Sequence, residues 1–68
     1  MTSHGVVVTF DDHVGLGEIE DASDRERILF HCAEIADGSR RIEVGTRVAF
    51  ESRIKFGRRE AFAIARIR

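Results

Sequence analysis

A chain of 68 residues can hold one domain with a small core, because a chain of this size buries only roughly 60% of its unfolded surface. Charged residues make up 34% of it, but the signs nearly cancel at −1, which excludes a generally polyanion-seeking protein of clearly basic charge. The single cysteine, Cys32, cannot form an internal disulfide and suits a reducing cytoplasm. No apolar run approaches the length of a membrane span, and the residues after Met1 carry no signal-peptide core, so a cytoplasmic location is expected.

Along the chain, residues 1–4 read as a frayed tail and residues 5–68 as one domain. GVVVTF (5–10) is rich in β-branched residues and reads as a strand. Asp11, Asp12 and His13 form a polar turn. GLGEIE (15–20) reads as a second strand, whose glycines weaken it unless a bulge or a close backbone approach requires them. DASDRER (21–27) is a loop, and ILFHC (28–32), apolar and bounded by charge, is a third strand. AEIADGSRR (33–41) carries a turn at Asp37-Gly38. RVAFES (47–52) alternates, with Val48 and Phe50 on one side. IKFGRR (54–59) is a glycine-containing connection. In EAFAIARI (60–67) the alanines permit helix, whereas Phe62 and Ile64 alternate as a core-facing strand pair. Five short strands without a convincing amphipathic helix predict an all-β, five-stranded antiparallel barrel of the OB type, with an SH3-like barrel as the alternative from pattern alone.

Charge is unevenly placed. Residues 1–36 hold eight acids and two bases, and residues 37–68 hold four acids and nine bases. A basic site is therefore expected from the second half.

The order of these features resembles the bacterial cold-shock domain from Gly5 to about Ile67. Phe10-Asp11 stands where that family has Phe-Asn, and Gly15-x-Gly17-x-Ile19 matches its Lys-Gly-Phe-Gly-Phe-Ile motif in the glycines and the isoleucine. Phe30-His31-Cys32 fits the third strand's Val-His-Phe. Ile35, Ile42, Gly45 and Val48-Ala49-Phe50-Glu51 then follow in near-family spacing. The resemblance implies single-stranded RNA or DNA binding on exposed rings, each stacked base being worth about 1–3 kcal/mol. Most of those rings are missing here. The family's tryptophan is Thr9, its second-strand phenylalanines are Leu16 and Glu18, and its third-strand ones are Leu29 and Cys32. Its loop phenylalanine falls near Ser39-Arg40, and its two first-strand lysines are Val6 and Val8.

The leading expectation is a non-catalytic single-strand binder whose affinity is weakened, salt-sensitive and poorly selective. The expected contacts are Phe10, Leu16, Leu29 and His31, helped by Arg40, Arg53, Lys55, Phe56, Arg58 and Arg59. His31 is either a retained contact or a structural residue bonded to backbone, and Phe10 is either core or platform edge. Phe30, Phe50 and Phe62 are assigned to the core. Phe56 is the one ring interleaved with bases, as a single-strand binder would want, although a loop folding that ring onto the barrel is the favoured reading. The second reading is a protein-interaction or self-association module, if Val6, Val8, Leu16 and Leu29 share one exposed apolar face. No catalytic site, metal site or cofactor is expected. No Cys-x-x-Cys spacing occurs, and the side chains of His31 and Cys32 are expected to diverge.

Overall fold

The computed structural model describes residues 2–67. Its strands are β1 (Ser3–Asp11), β2 (Leu16–Asp21), β3 (Arg27–His31), β4 (Arg47–Lys55) and β5 (Arg58–Arg66), with a single 3₁₀ turn at Cys32–Glu34. They close into a barrel in the order β1-β2-β3-β5-β4. Four pairings are antiparallel, and the β3–β5 seam is parallel, held by Leu29 opposite Glu60. A lone parallel bridge between Ile35 and Ile64 continues that seam.

Alternation builds the interior. Ile28 and Phe30 of β3, Ile19 of β2 and Val48 and Phe50 of β4 all point inward and are buried, with Val7, Ile35, Ile42, Ala61 and Ile64 completing the core. Ile42 comes from the irregular segment between the 3₁₀ turn and β4, so that segment caps the barrel with an apolar side chain.

Two register shifts break the alternation. In β1, Val7 faces Ile19 and Thr9 faces Glu18, so Val8 is an extra residue. The bulge reverses the parity beyond it. Thr9 then points outward, while Phe10 turns back toward the interior and stacks on Phe30 at a centroid distance of 6.0 Å. In β5 the shift lies opposite Phe50, where Ala63 has φ 53°. That extra residue puts Ala61 and Ile64 inside and leaves Phe62 only half-buried, which corrects its assignment to the core.

Two further expectations are corrected. The tail is shorter than residues 1–4, because Ser3 and His4 already pair with Phe50 and Ala49 of β4; Met1 and the domain's last residue, Arg68, lie outside the described residues. The connection at 54–59 shrinks to two residues, since Lys55 pairs directly with Arg58.

Gly17 of β2 and Gly15 in the turn before it are required by packing. A Cβ at Gly17 would lie 2.6 Å from the Phe30 ring and 2.6 Å from the Thr9 carbonyl oxygen. Gly15 has φ +73°, and a Cβ there would lie 2.6 Å from Cys32 Sγ. The Gly-x-Gly spacing is therefore explained by the barrel itself.

Candidate nucleic-acid interface

The outer face of β1–β3 is organised by the ladder. Leu16 pairs with Asp11 on one side and His31 on the other, and Glu18 sits between Thr9 and Leu29. Leu16 is 40% exposed. His31 is exposed and Leu29 half-buried. The Thr9 hydroxyl donates to Glu18 Oε1 at 3.2 Å, and Arg27 Nη1 lies 3.7 Å from the same oxygen. A polar row of Thr9, Glu18 and Arg27 thus crosses the middle of the face.

His31 has both of its expected roles open to it. Its Nδ1 accepts from the Ala33 backbone N–H at 3.0 Å and caps the 3₁₀ turn, which fixes the ring while its surface stays exposed. Cys32 Sγ lies 4.0 Å from that nitrogen, so the two side chains do not diverge as expected. The turn at Cys32 brings them together, but Nδ1 already serves the Ala33 N–H.

Across from β3 stands the β4–β5 hairpin. Its two-residue turn, Phe56-Gly57, has φ of 53° and 75°, the signature of a type I′ turn. Phe56 is 97% exposed, so the ring is not folded onto the barrel. Ile54 is 69% exposed beside it. A cleft of about 380 Å³ lies between hairpin and platform, lined by Glu18, Glu26, Arg27 and Leu29 on one side and Ile54, Gly57, Arg58 and Arg59 on the other, Glu26 and Arg59 being paired with each other.

The model of the 'Cold-shock' DNA-binding domain matches residues 3–67. The chain belongs to the cold-shock domain family. It is similar to the solved structure of drosophila Unr CSD456, with a TM-score of 0.85 and 25% identity over all of this chain. The chain spans 27% of that structure's length. No curated protein matches the sequence.

The late-chain bases of this cold-shock domain divide into two groups. Arg59 is removed from the expected site. Its guanidinium reaches Asp21 at 3.1 Å, Asp24 at 3.2 Å and Glu26 at 2.5 Å, tying β5 to the β2–β3 loop. The Glu26 carboxylate foremost, then Asp21 and Asp24, hold its pKa above the ordinary arginine value against partial burial. Burial pushes the Asp21 carboxyl up, but hydrogen bonds from the Ser23 N–H and hydroxyl and the Arg59 guanidinium outweigh it, so its pKa lies below the usual value. Arg53 lies over the Phe62 ring, 5.1 Å from its centroid, and is partly engaged there. Arg40, Lys55 and Arg58 are exposed and have no ion-pair partner among the described residues.

Other groupings separate. Val6 pairs with Glu20 and Leu16 with Asp11, at opposite ends of the β1–β2 ladder, with the Thr9–Glu18 bond between them. Val8 is half-buried in its bulge, so Val6, Val8, Leu16 and Leu29 do not form one contiguous apolar face. Asp11 and Asp12 serve local structure, Asp11 accepting from the His13 N–H at 2.9 Å and Asp12 pairing with Arg41 at 2.9 Å. Among the described residues no cluster of His, Cys, Asp or Glu is arranged to hold a metal ion. Among the described residues no helix is long and apolar enough to cross a membrane.

Sequence reasoning missed Ile54 and Arg27 as cleft-lining residues; Arg27 is the charged one. Its only signal was its position at the start of β3, two residues before Leu29 and so on the same outward face.

Proposed function

We propose that this cold-shock domain binds single-stranded RNA or DNA without catalysing a reaction, weakly and with strong dependence on salt. The observation that carries this reading is the pairing of two surfaces across one cleft. Leu29 and Arg27 line it from the β1–β3 face, which continues to the exposed Leu16 and His31, and Ile54 and Arg58 line it from the hairpin, whose exposed turn carries Phe56 beside Lys55. Leucines give a base apolar contact without a π face. With about three family rings replaced, at about 1–3 kcal/mol each, stacking on the platform falls by several orders of magnitude in affinity. Phe56 returns one ring, and the exposed bases supply phosphate contacts that carry no sequence information.

The test is a titration of a labelled single-stranded oligonucleotide at several salt concentrations. The log affinity is expected to fall linearly with log salt, by about 0.7 for each phosphate neutralised. Arg58→Ala is expected to weaken binding and flatten that slope by roughly one contact. Tight binding that ignores salt, or no binding at low salt, would refute the proposal.

A further inference from the structure

Resting on that binding reading, we infer that Glu18 reads the base edge, so that the cleft selects amine-bearing bases, guanine first, over uracil and thymine. The two contacts of Glu18, the Thr9 hydroxyl and Arg27, both fall on Oε1. Oε2 has no partner among the described residues, and the side chain is 38% exposed. One oxygen is therefore anchored while the other is left to accept from a ligand in the cleft that Glu18 lines. A carboxylate accepts hydrogen bonds and donates none.

The rest of the cleft suits a flat ring. Leu29 and Ile54 offer apolar contact from its two sides, and the guanidinium planes of Arg27 and Arg58 can stack on a base. Arg27 and Arg58 also offset the repulsion between the carboxylate and a phosphate backbone. A base lying there meets Glu18 with its edge. Guanine presents two adjacent donors on its Watson–Crick edge, N1–H and the N2 amine. Cytosine and adenine each present one amine. Uracil and thymine present a single N3–H between two carbonyl oxygens, and those oxygens repel a carboxylate. Selectivity here comes from rejecting the wrong base as much as from bonding the right one.

A ring at this position, as in the family, stacks on every base alike. A carboxylate discriminates among them. The loss of stacking is thus accompanied by edge reading at one nucleotide, which revises the expected lack of selectivity.

The experiment compares two labelled strands of equal length at one low salt concentration: an oligouridine tract and the same tract with one central guanosine. The native domain is expected to bind the guanosine strand roughly five- to a hundredfold more tightly. Glu18→Gln keeps the side chain's size and its acceptor for Thr9, but adds a donor that a uracil carbonyl can accept. Removing the charge changes the long-range repulsion of the phosphate backbone equally for both strands, so the ratio is the readout, and it should collapse toward one. Glu18→Leu, which can neither donate nor accept, should collapse it too. Equal native affinity for the two strands overturns this inference and leaves the binding proposal standing. A guanosine preference that survives in both variants also overturns it. Failure of either strand to bind at low salt sinks both readings, so the two failures are distinct.

Discussion

Replacing Phe56 with asparagine should make the protein more stable and a poorer binder. Phe56 holds φ at +53°, a left-handed conformation that bulky L-residues avoid and asparagine tolerates. Asn-Gly is the favoured pair for a two-residue type I′ hairpin, and Phe56-Gly57 occupies that turn. The ring is 97% exposed, so its removal gives up almost no buried surface. The net gain is about 1 kcal/mol. In a domain of this size that raises the melting temperature by about 4–8 °C, readily seen by circular dichroism. If a base stacks on Phe56, the same substitution should cost about 1–3 kcal/mol of single-strand affinity, measured by fluorescence anisotropy. A stability gain with unchanged affinity would confine the ring's role to the turn. An unchanged or lowered melting temperature would refute the argument from backbone strain.

Arg59→Met should destabilise the barrel by about 2–3 kcal/mol in chemical denaturation, because it leaves the carboxylate of Asp21, only 3% exposed, without its cationic partner. Asp21 also sets an acid limit: its folded pKa is depressed, so its contribution is complete above the unfolded value of about 3.9 and fades as the pH falls through the lower, folded value. Denaturation midpoints of the native protein should therefore drop below about pH 4, and Arg59→Met should make that dependence shallower. Gly17→Ala should cost about 1–3 kcal/mol, because the added methyl would overlap the Phe30 ring and the Thr9 carbonyl; an unchanged unfolding midpoint would contradict the close approach.

The strands were legible where two-residue alternation runs unbroken. Ile28 with Phe30 and Val48 with Phe50 read correctly as core pairs, because nothing in β3 or in that part of β4 interrupts the period. Phe62 was misplaced because the extra residue at Ala63 is a backbone event without a composition signal. The bulge at Val8 is equally silent, yet it decides that Thr9 faces outward beside Glu18. The hairpin turn was read too long because Phe-Gly is not a pair that type I′ turns favour. Arg59 looked available because its acids lie 33 to 38 residues away in sequence and meet it only through barrel closure. Phe56 stood out among bases, but a ring tucked onto the barrel was the favoured reading, because nothing in the sequence signals that a two-residue turn holds it 97% exposed.

The β3–β5 seam has a consequence for how this barrel opens. Every other pair of neighbouring strands shares a ladder of several register positions, whereas β3 and β5 share Leu29 with Glu60, prolonged by Ile35 with Ile64. The Arg59 cluster pins one end of that join, between β5 and the β2–β3 loop. The cleft lies directly over it, with Arg27 and Leu29 on one lip and Ile54 and Arg58 on the other. A strand seated in the cleft would bridge both lips and act as a clasp. Occupancy and closure would then be thermodynamically linked: a bound ligand would slow hydrogen exchange along the seam, and opening of the seam would lower the affinity for ligand.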